Sequence, residues 1–460
     1  MARRGGMDAA LIVGWCGAGP AQDAERHELM RLMDRNQFPL PLQTALLTAL
    51  AAAAGPAPVL GVEAERVLSF NPGKFLIQPQ FDASAQYNGN LLYAPPEPVP
   101  GNTNEVVSDL LWTLSPGLKL QYGRNPEHAI TASFYFDQLL YTENSEFNAQ
   151  QERATLGARL EFGRFKFQGK TSLQWLETIL GGNTQTFQRT PISRFVWLDN
   201  YRLTYDATMK TDFFLGVDHN LSDYLKTVNL YDTGTVRGIL GATYKPSEKI
   251  GVFIEGDGGH TTIEPNAPFQ LPVSPSNVFG GFVGARGNFT QRLDGSVKIG
   301  YEARSFAEDL NVDVASVGSP AVVATLNYTQ TVRRFFNLTY DRRVGVSSQV
   351  PDQSYIFDIV YLSVTQAIGS SGRWMVQVRG GVSLGNYSDR FINGVNYARE
   401  DQTYTAAIAL LYQPNAWLTA SAVYSFEKFN ALFPDPTAER NTGLNDYNAN
   451  RFTLQVSVGY

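Results

Sequence analysis

Eight basic residues, Arg159, Lys166, Lys170, Arg202, Lys298, Arg304, Arg379 and Arg451, fall at positions that alternate with apolar ones, and Glu161, Glu302 and Asp358 fall among them. Successive side chains of an extended strand point to opposite sides, so these charges should share one face and the apolar residues the other. A concave, wet wall with a basic excess would attract anionic solutes or acidic glycans. The same spacing lets acids and bases pair across neighbouring strands and simply keep an interior hydrated, and the mixture of signs favours that second reading. The connections are more acidic, with Glu97, Glu105, Glu143, Glu146, Asp223, Asp232, Glu264, Glu308 and Asp309.

Covalent chemistry has little to work with. Beyond the N-terminal region the histidines are His128, His219 and His260. His219 stands beside Asn220, Ser222 and Asp223, where it could mimic a Ser–His dyad. A polar cluster of this kind arises by chance in many loops, so no enzymatic activity is expected. The stretch EGDGGH could offer Glu255, Asp257 and His260 to a divalent cation, but a flexible Gly-rich loop is the preferred reading. The glycines of FGGFVGARG (279–287) fall on a strand pattern, so they suggest bending or a bulge rather than a phosphate loop. The single cysteine, Cys16, excludes an intrachain disulfide and a thiolate metal cluster. No cofactor or metal is expected.

The elements that must carry the charged face are strands. From Phe75 onward a two-residue period recurs. It runs through Leu110, Trp112, Leu114, Pro116, Leu118, Leu120 and Tyr122, through Ala154 to Phe162, and through Phe195, Trp197, Asp199, Tyr201, Leu203 and Tyr205. It returns at Val297–Ala303, Phe336–Tyr340, Tyr404–Tyr412 and Leu418–Phe426. Asp199 is an exception on an apolar row and should lie near an interface or a bulge.

Short turns, such as GR (163–164), KPSEK (245–249) and GSSGR (369–373), alternate with long polar connections, such as 88–105, 256–277 and 430–450. Outer-membrane barrels have this asymmetry. The expected fold is all-β: a closed antiparallel up-and-down transmembrane barrel of about eighteen strands, with sixteen as the fallback. Strands should begin near 75, 106, 129, 152, 165, 192, 211, 232, 249, 277, 296, 321, 334, 354, 374, 402, 417 and 451. Connections 256–277 and 88–105 are long enough to fold inward. Aromatics beside the short turns, Tyr122, Phe162, Phe165, Tyr205, Tyr244, Phe289, Trp374, Tyr412, Trp417 and Tyr460, are expected to form a periplasmic girdle. The last stretch places Phe452, Leu454, Val456, Val458 and Tyr460 on one face, and resembles the C-terminal signal read by the bacterial barrel-assembly machinery.

Composition agrees. Charged residues are 17% of the chain, against roughly 25% in ordinary soluble domains. Aromatics reach 12%, and no run attains the ~18 apolar residues of a spanning helix. The net charge of −6 argues against nucleic acid as a partner. Residues 39–54, PLPLQTALLTALAAAA, follow Arg31 and Arg35 and precede GPAPVLGVEA, in the manner of a secretory signal peptide. Cuts after Ala57 or Ala64 and a start at Met30 or Met33 fit this pattern. Residues 1–64 are therefore expected to be a non-mature leader and 65–460 the barrel. A buried helix is disfavoured by Pro39, Pro41 and Gly55-Pro56.

The segment FDASAQYNGNLLY (81–93), then WTLSPGLKLQYG (112–123) and a Tyr/Phe-rich hairpin with a polar tip, resembles the putative β-barrel porin type 2 family. The residues that carry it are Tyr87, Asn88, Gly89, Asn90 and Leu91, then Ser115, Pro116, Gly117 and Leu118. The specific match covers residues 75–180. The resemblance implies an outer-membrane location and, in some members, a link to capsule or exopolysaccharide production. The expected function is a passive porin for small polar solutes or saccharides, with exopolysaccharide export suggested by the resemblance. The alternative is a structural or adhesive barrel with a plugged lumen and binding by its loops. Expected partners are outer-membrane lipid and lipopolysaccharide, the assembly machinery, and a small polar solute or saccharide. Long loops are expected outside the cell and the termini in the periplasm.

Overall fold

The computed structural model describes residues 75–94, 106–123, 128–178, 191–225, 231–266, 274–306, 316–347, 353–392, 394–437 and 446–459. The expected leader and Tyr460 lie outside them. Alternating segments become β1 (Phe75–Asn88), β2 (Asp109–Tyr122), β3 (Ala129–Tyr141), β4 (Ala149–Phe162), β5 (Phe165–Thr178), β6 (Ile192–Asp206) and β7 (Thr211–Tyr224). They continue as β8 (Tyr231–Tyr244), β9 (Ile250–Pro265), β10 (Ser276–Asn288), β11 (Leu293–Phe306), β12 (Val317–Thr331), β13 (Arg334–Val346), β14 (Ser354–Ile368) and β15 (Trp374–Tyr387). A two-residue pair, β16 (Phe391–Ile392) and β17 (Val395–Asn396), sits in the next connection. The chain then forms β18 (Arg399–Asn415), β19 (Leu418–Leu432) and β20 (Tyr447–Val458).

Apart from β16 and β17, these strands form one 18-stranded sheet in which each pairs antiparallel with its neighbours in sequence. β20 pairs with β1, from Val458 opposite Phe81 to Arg451 opposite Asn88, and this closes the cylinder. Closure leaves no edge strand unpaired, which a sheet in hydrocarbon requires. Among the described residues no helix is long and apolar enough to cross a membrane. Every strand begins within four residues of its expected start. The larger differences, at β12 and β20, lie at the ends that meet long connections. There backbone pairing continues after the apolar alternation has stopped. For the same reason, the expected loop 256–277 contracts: β9 runs to Pro265 and β10 begins at Ser276.

The apolar rows face out. Trp112, Leu114, Leu118 and Leu120 are exposed, whereas Ser115 between them is buried. Leu240, Ile254, Val283 and Ile299 continue that belt on β8 to β11. At the short-turn end Phe75 meets Tyr122 at 5.0 Å between ring centroids, Phe165 meets Tyr205 at 4.9 Å, and Trp374 stacks on Tyr412 at 4.3 Å. Phe162 and Tyr244 are exposed on the same rim. Trp417 is half-buried in the turn before β19, where its carbonyl accepts a hydrogen bond from the Gly459 amide. Phe452, Leu454 and Val456 are exposed on the outward face of β20, and Val458 is half-buried beside them.

Two polar groups depart from expectation. Asp199 is the midpoint of β6, with seven strand residues on either side, and its register with Thr171 and His219 is regular, so there is no bulge. It is accommodated by local partners instead. The Tyr201 hydroxyl donates to its Oδ1 at 3.1 Å, and the His219 Nδ1 lies 3.3 Å from Oδ2. The second is Asp358, which is not on the inward face. It pairs in register with Arg342, on the outward side with Val360 and Leu362. Arg342 donates to its Oδ2 at 2.6 Å and the Tyr340 hydroxyl to its Oδ1 at 2.7 Å. Apolar residues occupy both parities of SYIFDIVYLSVTQAI, so the two-residue period does not determine which face Asp358 takes.

Glycines in the wall are seats for rings, not bulges. β10 keeps an unbroken register with β9 and β11 through FGGFVGARG. Phe214 lies over Gly241, Phe253 over Gly284 and Phe282 over Gly300, all three rings buried on the inner side. Tyr361 lies over Gly381, and a methyl at Gly381 would overlap its ring. Gly381→Ala is therefore expected to destabilise the folded barrel by about 1–3 kcal/mol. Tyr361→Leu in the same chain should recover part of the loss. Urea unfolding of the four variants of the cycle measures both, and simple additivity would contradict the seat.

Candidate functional site: the inward wall

The inward face of β5 to β11 carries a cross-strand network of charges. Arg237 on β8 donates to Asp257 on β9 at 2.7 Å and to Glu302 on β11 at 2.5 Å. It reaches across β10 where Gly280 stands opposite both acids and offers no side chain. Glu255 receives Lys298 at 2.6 Å and lies 3.7 Å from Arg202. Asp212 receives Lys245 at 2.9 Å and lies 3.7 Å from Arg286. Lys166 and Asp206 are 3.1 Å apart. The buried rings form the floor of this network. The Arg202 guanidinium lies 4.0 Å from the Phe214 centroid, Arg286 lies 5.5 Å from Phe253, and the Lys298 ammonium lies 4.4 Å from Phe282. A cation over an aromatic face gains from the ring quadrupole while staying exposed to the interior.

Other inward charges form separate groups. Arg153 makes two bonds to the buried Asp137, at 2.7 and 2.9 Å. Arg451 donates to Glu427 at 2.9 Å, and Glu427 also accepts the Tyr447 hydroxyl at 2.5 Å. Arg304 is buried and donates to Ser276 at 2.7 Å and Thr261 at 3.2 Å. Arg399 and Asp401 form a pair closed off from solvent.

Of the charged residues that the sequence singled out, Lys166, Arg202, Lys298, Arg451 and Glu302 belong to these ion pairs. Arg304 is held by hydroxyls. Arg379 is half-buried on the inward side of β15, and Glu161 is half-buried beside the short turn after β4. Arg159 and Lys170 are exposed on the inward face of β4 and β5 and make no ion pair among the described residues. The sequence pattern missed Arg237, Arg286 and Arg399, together with Asp257, Asp212 and Asp401. Their inward parity is opposite that of the exposed Phe213, Val236, Ile254, Val283 and Tyr404 on the same strands, but glycines beside Arg237, Asp257 and Arg286 and the acidic Glu400 between Arg399 and Asp401 mask the alternation.

The two polar clusters that the sequence suggested are each divided between the faces of a strand. β9 sends Glu255 and Asp257 inward and His260 outward, where His260 meets Asn277 at 2.8 Å. His219 faces outward and Ser222 inward, so they cannot act as a dyad. No group of three metal-ligating side chains occurs among the described residues.

Beyond β1 the chain turns in, so that Leu91 packs with Leu111, Leu139, Tyr141 and Phe147. Tyr93 packs with Phe429 and Tyr447, its ring 4.9 Å from that of Tyr447. Asn90 ties this turn down through bonds to the Ala94 and Asn448 carbonyls. These residues open the expected inward connection 88–105, of which 95–105 lie outside the described residues.

The chain is similar to several solved structures. They include the outer membrane protein OpdK from Pseudomonas aeruginosa, with 9% identity and a TM-score of 0.42, covering 84% of this chain and 99% of that one. OpdQ from Pseudomonas aeruginosa has 10% identity and a TM-score of 0.40, covering 83% and 97%. The outer membrane channel DcaP of Acinetobacter baumannii has 13% identity and a TM-score of 0.40, covering 84% and 97%. No curated protein matches the chain. The family model described as Putative beta-barrel porin 2 matches residues 202–460, downstream of the motifs at 75–180 that carried the sequence resemblance. That match takes in more than half of the sequence and every strand from β7 to β20, and the chain belongs to the Putative beta-barrel porin 2 family of outer-membrane barrels.

Proposed function

We propose that the barrel passes small polar solutes, saccharides among them, passively across the outer membrane. It would stand with its long connections outside and its short turns in the periplasm. The observation that carries this reading is the separation of the two faces: apolar rows outside, and inside a network of charged side chains over β5 to β11 with separate polar groups on the other strands. A cylinder of eighteen strands is wide enough for an aqueous path between such walls. Exopolysaccharide is the cargo that the family resemblance suggests. Conductance in a planar bilayer tests the pore directly, and a refolded barrel that passes no current would refute it. A plugged barrel with binding at the mouth is the second reading, and the inward packing of Leu91 and Tyr93 favours it. It predicts closed records that open when residues 89–94 are removed.

The inner charges are largely paired, so the pore should discriminate weakly between ions, with a slight preference for anions from the unpaired Arg159 and Lys170. The double variant Arg159→Glu, Lys170→Glu is expected to move the reversal potential in a salt gradient to the cation side. An unchanged potential would show that these residues lie off the permeation path.

A further inference from the structure

We propose that a patch of the inner wall on β3, β4 and β5, centred on Gly157, is a subsite for the carboxylate of an acidic saccharide, a uronic-acid residue. This deepens the reading of the barrel as a saccharide pore and rests on it. Four inward side chains surround Gly157. Lys170 on β5 and Thr131 on β3 stand directly opposite it, Arg159 follows two residues on along β4, and Gln168 stands opposite Arg159. Residues diagonal to one another on adjacent strands lie about 7–8 Å apart, within reach of long side chains, so Arg159 and Lys170 can converge on one group. Gly157 keeps the floor between them low. A side chain there would begin 2.7 Å from the Thr131 hydroxyl, which stands against that space.

These groups are open to the lumen and unengaged. Arg159, Gln168 and Lys170 are exposed, and Thr131 is half-buried. Among the described residues, none of the four side chains takes part in a hydrogen bond or an ion pair. The network on β6 to β11 is different, because Arg202, Arg237, Lys245, Arg286 and Lys298 each meet an acid there. The acids nearest the patch face other groups. Glu161 stands opposite Lys166, and Asp218 accepts a hydrogen bond from Asn200. Two neighbouring cations without a counterion attract an anion from the lumen more strongly than neutralised pairs can.

The chemistry selects the class of ligand. The planar guanidinium of Arg159 matches the two oxygens of a carboxylate, and the Lys170 ammonium adds a point charge beside it. Thr131 and Gln168 supply a hydroxyl and an amide, which exchange hydrogen bonds with the ring hydroxyls next to that carboxylate. A neutral sugar lacks the charge, and an inorganic anion makes no use of the hydroxyl and the amide together. The patch is part of an open wall, so binding there is weak enough for the solute to leave again, as passage requires.

The test is a calorimetric titration of the full-length, refolded barrel in detergent with trigalacturonate as the probe, and with maltotriose and sodium sulfate as controls at the same ionic strength. The expected result is saturable binding of trigalacturonate, roughly tenfold or more tighter than either control and weakened by added salt. Arg159→Gln should weaken binding by roughly tenfold and Lys170→Gln by roughly threefold. Arg159→Lys keeps the charge and loses the fork, so its affinity should fall between those of the wild type and Arg159→Gln. Arg333→Gln removes one exposed charge from the short turn between β12 and β13 and should leave binding unchanged. Substitutions at exposed positions of this kind cost little stability, and heat-modifiable migration on gels shows that each variant is folded. If Arg159→Gln does not fold, Arg159→Lys and Lys170→Gln complete the series. The proposal is overturned if the folded wild type binds no trigalacturonate, or if maltotriose or sulfate binds as tightly. It is equally overturned if Arg159→Gln and Lys170→Gln bind like the wild type. Conductance of the same preparation separates this inference from the pore reading. A conducting barrel without binding keeps the pore and removes the subsite, and binding without conduction does the reverse.

Discussion

Arg237→Met is expected to lower the stability of the folded barrel by about 3–5 kcal/mol, the largest loss from any single charge removed from the inner wall. Among the described residues, Arg237 is the one cation in ion-pair contact with both Asp257 and Glu302, two nearly inaccessible acids with side-chain exposures of 3% and 1%. Once it is gone, two carboxylates remain side by side away from water with their partner missing. The cost comes from leaving those charges uncompensated, since the pair itself contributes little net stability. Glu302 has one further bond, accepting the Val344 amide at 3.3 Å, which is too little to balance the loss. Adding Glu302→Gln to Arg237→Met should restore a substantial part of the stability. The measurement is urea unfolding of the refolded barrel, followed by the change in gel migration. A loss below about 1 kcal/mol, the range of exposed pairs, would mean that water reaches this network freely.

Adjacent residues of β20 should respond in opposite ways to the same substitution. Leu454 is half exposed on the outer face, between Phe452 and Val456 in the apolar row. Leu454→Arg puts a guanidinium against acyl chains and is expected to cost up to about 2–4 kcal/mol, less if the side chain reaches an interface. Gln455 points inward and stands opposite Ser84 and Ser421. Gln455→Arg adds a charge to a wet wall with neutral polar neighbours, and its effect should stay within about 0.5 kcal/mol. Refolding into lipid vesicles, without the cell's assembly machinery, isolates the effect of the membrane. Equal losses at the two positions would show that the exterior is not the lipid-facing side.

The architecture was legible because its cause is local and repeated. Alternation at Leu110–Tyr122 or Leu418–Phe426 reports directly which side of a strand is dry, and short turns against long connections report the up-and-down path. Ambiguity arose where that signal is weak. Around Ile356–Leu362 both parities are apolar, and Asp358 took the outer face. Around 251–287 glycines replace the side chains that would show the alternation, so Glu255, Asp257 and His260 look like one cluster although the strand divides them.

The residues by themselves determined an all-strand chain, its number of crossings, its aromatic rim and the inward parity of most of its charges, because these depend on neighbours one or two positions away. Only the closed cylinder decided which charges meet. Arg237 and Glu302 are 65 positions apart and three strands apart, and they touch because the wall curves and Gly280 leaves a gap between them. The same is true of Thr131, Arg159 and Lys170, which surround Gly157 only through the register between strands. Register is set by pairing over the whole sheet, and no short stretch of sequence contains it.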